Sequence, residues 1–199
     1  MIKILNSMIF ALLLTSCSAQ DELKESDTNA TTIVEKQDNN GSTKETNNSL
    51  KKSIFTLNML NGQKIHVNEA PAGLTFQEYK NKSVFLVFFG YKCPPCLKEM
   101  PHLIELIKKK HPDLEIIAIE LQGLNAEKLA KFQQYKEINY TLGTGSANEK
   151  FVSYIASKAH WGGSIPFMIA FNKEGEVNMV HVGSLNSQQL NEVYLSTKK

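Results

Sequence analysis

The sequence predicts a three-layer α/β domain in which a mixed central sheet is flanked by helices and preceded by an N-terminal β-hairpin. Three observations lead there. Residues 84–89, VFLVFF, form an unbroken apolar run, as expected of a central strand covered on both faces. Apolar residues at helical spacing follow directly, at Leu97, Met100, Leu103, Ile104 and Ile107. Strand-like and helix-like segments then alternate until a closing hairpin and a last helix, the order of a sheet with helices packed against it.

Each element has its own signal. Residues 53–59 and 63–67 alternate around Asn61-Gly62, a strong short-range hairpin signal. The helix after the central run ends in Lys108-Lys109-Lys110-His111, cations suited to the negative end of a helix dipole, and Pro112 stops it. Residues 115–119, EIIAI, read as the next strand. Leu129, Phe132 and Tyr135 mark one further helix, and Phe151, Tyr154 and Ile155 another. Residues 166–172 and 176–183 form two strands around Asn172-Lys173-Glu174-Gly175, and Leu190, Val193 and Tyr194 mark the final helix. No internal repeat and no second domain is visible.

The first 52 residues read differently from the rest. Residues 1–17 are MIKILNSMIFALLLTSC, with Lys3 followed by a short apolar run over residues 9–14. That run is too short for a spanning helix, which needs roughly 20 residues, and reads as a signal-peptide core over residues 1–16. Leu14-Thr15-Ser16-Cys17 resembles a bacterial lipobox, which would make Cys17 the lipidated mature N-terminus. Secretion with cleavage after Ala19 is the alternative. Residues 17–52 carry little apolar surface, with seven acids and three lysines between Ser18 and Leu50. Such composition predicts a disordered tether, whose r.m.s. span would be roughly 30–35 Å. The folded domain is then residues 53–199.

Composition excludes some partners. The chain has 199 residues, 42% of them hydrophobic, with 22 basic and 20 acidic residues. Nothing in that balance points to nucleic acid. There is no arginine, so bidentate guanidinium clamps for phosphate or carboxylate are missing. Residues 51–199 carry 18 lysines against 13 acids, a mild positive excess that reads as a solvated surface.

The chemistry lies where the apolar run meets the helix, at Gly90-Tyr91-Lys92-Cys93-Pro94-Pro95-Cys96. A helix N-terminus offers unpaired N–H groups and a positive dipole end, both of which stabilise a thiolate. Two intervening residues put both cysteines on one turn, close enough for a disulfide. Pro94 and Pro95 lack N–H groups and fit a helix start. A zinc site would need four ligands, and no second CxxC exists. A purely structural disulfide over so small a loop would remove little unfolded-state entropy. Thiol–disulfide exchange through Cys93 and Cys96 is the favoured reading. His66, His102, His160 and His181 show no ligand spacing.

From residue 53 onward the sequence resembles the thioredoxin superfamily, and most closely the TlpA/ResA-type envelope proteins. Phe88-Phe89-Gly90 leads into the CxxC, and Pro101 stands five residues past Cys96, where the family kinks this helix. Ser164-Ile165-Pro166-Phe167 opens a late strand where thioredoxins carry a cis proline beside the active site. The resemblance implies a thioredoxin-like fold, disulfide exchange, catalytic roles for Cys93 and Cys96, and active-site support from Ile165 and Pro166. Members of the ResA-like group carry an active-site Glu where Glu99 stands. Such a carboxylate can raise thiol pKa values or relay a proton to Cys96; an exposed acid near the helix start is the equal alternative. There are departures. Val87 stands where thioredoxin has a buried Asp. Lys92 replaces the usual aromatic residue before the first cysteine, either lowering the Cys93 pKa or simply solvated. Trp161 either supplies the missing aromatic rim or packs against a loop.

The expected mechanism has Cys93, its sulfur toward solvent, attack a client disulfide, with the more buried Cys96 resolving the mixed disulfide. It requires no organic cofactor and no metal. The resemblance favours a reductase of envelope proteins, fed by a membrane electron-donor thiol protein and serving apo-cytochrome c. A disulfide-forming oxidase on the same fold is one alternative; a dithiol copper chaperone, without enzymatic activity, is the other.

Overall fold

The computed structural model describes residues 54–198. The proposed signal peptide, Cys17 and the tether lie outside the described residues. Within them the chain forms β1 (Phe55–Asn58), β2 (Lys64–Ala70), β3 (Gly73–Phe76), β4 (Ser83–Phe89), α1 (Pro94–Lys108), β5 (Leu114–Glu120), α2 (Ala126–Tyr135), β6 (Thr141–Thr144), α3 (Glu149–Lys158), β7 (Phe167–Phe171), β8 (Val177–Val182) and α4 (Ser187–Ser196). The main sheet has the order β6-β5-β4-β7-β8. Strands β5 and β6 run parallel to their neighbours in the β4 half, and β7 and β8 run antiparallel, so the sheet is mixed.

Strand β4 is the centre because all seven of its residues are buried. Phe85, Val87 and Phe89 face one core with α1, α2 and α4. Val84, Leu86 and Phe88 face the other, shared with α3 and the small N-terminal sheet. Three layers result, as the apolar run predicts. Fully burying each such side chain contributes about 1.5–3 kcal/mol.

Two short strands are absent from the sequence reading. The expected N-terminal hairpin is a three-stranded antiparallel sheet, β1-β2-β3, joined through Gly62 at φ +81°. Strand β3 is four residues long and starts with a glycine, so it carries no periodic signal of its own. Strand β6, TLGT, is equally short and borrows its order from β5. Tyr135, read as part of an apolar helix face, is 78% exposed; α2 buries Leu129 instead. Helix α1 ends at Lys108, three residues before the last of the cations, because Lys110 turns left-handed at φ +53°.

A buried amide is one of the ties between the small sheet and the main one. Asn148 is 4% exposed. Its Oδ1 accepts the Asn58 N–H at 2.9 Å, and its Nδ2 donates to Asn58 O at 3.1 Å and Thr144 O at 2.9 Å. Replacing it with an apolar residue of similar size strands these groups. Asn148→Leu should lower stability by about 2–4 kcal/mol, read by urea denaturation of the full chain; an unchanged midpoint would show that the two sheets hold together without it.

Candidate active site

Strand register builds the site. Phe88 pairs with Phe167, which brings the segment before β7 beside the end of β4. Phe89 pairs in parallel with Glu120, which brings the loop after β5 to the same edge. The chain leaving β4 passes Gly90 and enters α1 at Cys93, the helix N-cap. Pro94 and Pro95 occupy the first two helical positions and have no N–H to leave unpaired. The Cys96 N–H is the first available donor, and it points at Cys93 Sγ at 3.3 Å. The sulfur thus takes the place an Asp or Ser oxygen holds at other helix starts, and the helix end acts on it.

Cys93 and Cys96 form a disulfide with Cα atoms 5.2 Å apart. Both are buried, Cys93 at 6% and Cys96 at 3% exposure. The expectation of a sulfur turned to solvent is therefore corrected, because the segment before β7 closes over it. Cys93 Sγ lies 3.7 Å from the Ile165 carbonyl oxygen, and a reduced thiol there would donate to that oxygen. The Ile165–Pro166 peptide is cis.

The remaining expected residues divide. Glu99 is 2% exposed, so the exposed-acid alternative is set aside. Its Oε1 accepts the Leu185 N–H at 2.9 Å, and burial pushes its pKa up to about 7 despite that bond. The same charge acts on buried Tyr140, whose phenol is pushed upward first by burial and then by Glu99. Lys92 is exposed and its amine sits over the Tyr91 ring, 5.0 Å from the centroid, which agrees with the solvated reading. Trp161 is 8% exposed and stacks on Phe167 at 4.5 Å. Its Nε1 donates to Ser164 O at 2.7 Å. It buttresses the loop carrying Ile165 and Pro166 rather than forming a rim.

Sequence reasoning missed Glu120 and Gln122. Glu120 is 1% exposed, and the Gln122 side chain reaches Lys92. A signal was present: an acid terminates an apolar run parallel to the one that carries the cysteines, and functional groups gather at the carboxyl ends of such strands.

Residues 51–180 match the model of the AhpC/TSA family. The chain belongs to that family, within the thioredoxin superfamily. The thiol-disulfide oxidoreductase ResA of Halalkalibacterium halodurans is 32% identical over 139 residues, covering 69% of this chain and 70% of that protein. The ResA of Bacillus subtilis is 25% identical over 139 residues, covering 69% of each. Among solved structures, StoA from Bacillus subtilis superposes with a TM-score of 0.54 at 20% identity, covering 71% of this chain and 96% of StoA. A thioredoxin-family thiol:disulfide interchange protein from Chlorobium tepidum superposes at 0.56 and 18% identity, covering 72% of this chain and 93% of that one. These superpositions speak to the thioredoxin-like fold. With its relatives and the close Cys93–Cys96 pair, this AhpC/TSA-family member is a thiol–disulfide oxidoreductase.

The buried Glu99 carboxyl sets a pH dependence. The native chain keeps its proton up to about pH 7, whereas the unfolded chain releases it near the ordinary carboxyl value of 4.5. Between these values the native state binds more protons, so stability falls as pH rises, by about 3 kcal/mol in total. Glu99→Gln keeps an acceptor for Leu185 and removes the proton. Urea unfolding of the oxidised protein should show the wild type losing stability relative to Glu99→Gln across this window; parallel curves would place the titration elsewhere.

Proposed function

We propose that this oxidoreductase is a lipid-anchored reductase of protein disulfides in the bacterial cell envelope, with Cys93 attacking and Cys96 resolving. The observation that carries the reading is the redox pair at the start of α1, with Cys93 Sγ capped by one N–H and facing the Ile165 carbonyl. The Cys93 thiolate attacks a client disulfide and displaces one client sulfur as a thiolate. Cys96 gives up its proton and attacks Cys93 Sγ, which releases the second client sulfur. Two electrons pass to the client, and the enzyme is left as the Cys93–Cys96 disulfide. Glu99, with a pKa near neutrality, is suited to receive the Cys96 proton. A thiol protein that draws electrons from the membrane then restores the dithiol.

The reducing direction is supported by what stabilises Cys93. The Lys92 amine is taken up with Tyr91, and no charged residue stands between the cysteines. A strong oxidant needs a thiolate stabilised far more than one helix-end N–H achieves. Apo-cytochrome c, whose haem-attachment CxxCH must be reduced, is the proposed client class. Cys17 in its lipobox supports the anchor, and the polar segment after it supports a tethered domain.

Cys96→Ser should accumulate mixed disulfides through Cys93, visible on non-reducing gels of envelope fractions, and Cys93→Ser should accumulate few. The reverse pattern would exchange the two roles. The reduction potential should fall nearer the roughly −270 mV of a thioredoxin than the roughly −120 mV of a strong oxidant; a value at the oxidising end would replace the reductase with an oxidase. Cys17→Ala should release the protein from membranes, and unaltered membrane fractionation would remove the lipid anchor from the proposal.

A further inference from the structure

Glu120 closes β5 and spends both carboxylate oxygens on the loop that follows, accepting the Gln122 N–H at 2.7 Å and the Leu124 N–H at 2.9 Å. The same loop is held to the sheet by Leu121 N–H donating to Phe89 O at 2.9 Å and by Gly145 N–H donating to Glu120 O at 2.8 Å. A buried acid thus fixes the backbone of an otherwise exposed turn. Gln122 stands on that platform and reaches back across the end of β4. Its Oε1 accepts the Lys92 N–H at 2.8 Å.

Gly90 makes this reach possible. A Cβ at residue 90 would lie 2.3 Å from Gln122 Cδ and 2.5 Å from its Oε1. The carboxamide occupies the space that any other residue at 90 would fill. On the other side of the turn the Cys93 N–H donates to Gly90 O at 3.2 Å. The three residues before Cys93 are therefore held at both ends, one end by this turn and the other by Gln122.

We propose that Gln122 is a positioning residue for disulfide exchange, clamping the Lys92 amide so that Cys93 Sγ stays against the Ile165 carbonyl where a client disulfide arrives. The inference rests on Cys93 being the attacking thiol. Attack requires the sulfur in line with the disulfide, and misplacement by about 1 Å can cost 100-fold in rate. Gln122 is itself exposed, so the clamp acts on geometry and adds little to the stability of the fold.

The test uses the full chain, reduced, and an oxidised peptide with one intramolecular disulfide. Gln122→Ala should slow exchange about tenfold and leave the thermal midpoint unchanged. Gly90→Ala should slow it as much, because its methyl displaces the carboxamide; Gly90 has no left-handed φ that would forbid alanine. The double variant should be no slower than either single one, since both remove one contact. The rate-against-pH profile should keep its midpoint and lose plateau height. Wild-type rates in Gln122→Ala, additive losses in the double variant, or a moved midpoint at full plateau would each overturn the clamp. A rate lost in Cys93→Ser but untouched in Gln122→Ala overturns the clamp alone. A rate retained in Cys93→Ser overturns the attacking-thiol reading and the clamp with it.

Discussion

The first turn of α1 has almost no free hydrogen-bond donors, and the site is organised around the one it keeps. A helix ordinarily begins with four unpaired N–H groups. Here Pro94 and Pro95 have none, and the Cys93 N–H donates to Gly90 O at 3.2 Å. What remains is the Cys96 N–H, and it meets Cys93 Sγ. The helix end therefore acts on one sulfur atom. That arrangement holds only if α1 begins where it does, and its start is fixed by β4, which is buried along its whole length and cannot slide without exposing a face.

The same strand decides what surrounds the sulfur. Its antiparallel partner β7 delivers Ile165 and Pro166, and its parallel partner β5 delivers Glu120 and the loop bearing Gln122. Trp161 braces the first of these, packing on both Phe88 and Phe167. The site is thus assembled from segments separated by roughly 30 and 70 positions along the chain, each anchored at the end of a paired strand and held beyond it by Trp161 or Glu120.

Glu99 shows what burial does to a group the local sequence leaves ambiguous. Placed on the core face of α1, where its Oε1 accepts the Leu185 N–H, it holds a proton near neutrality. On the opposite face of the same helix it would be an ordinary surface acid. One helical turn separates it from Cys96, and its carboxyl costs the fold stability at neutral pH.

By itself the sequence determined the elements whose signal is local. The six apolar residues of β4, the 3.6-residue spacing of α1, the Asn61-Gly62 turn and the CxxC at a strand-to-helix junction are all written within short windows. So was the proline at 166, as part of a recognisable motif. Tertiary structure alone decided the rest. Strands β3 and β6 exist because β2 and β5 offer them ladders, and their own four residues say little. The burial of Glu99, the turning of Lys92 onto Tyr91, the use of Trp161 as a buttress and the closing of Ile165 over Cys93 depend on which face each residue meets. The reach of Gln122 to Lys92 depends on strand register, because two segments 30 residues apart become neighbours only when β4 and β5 pair as they do. Periodicity fixes which residues share a face; only packing fixes what that face touches.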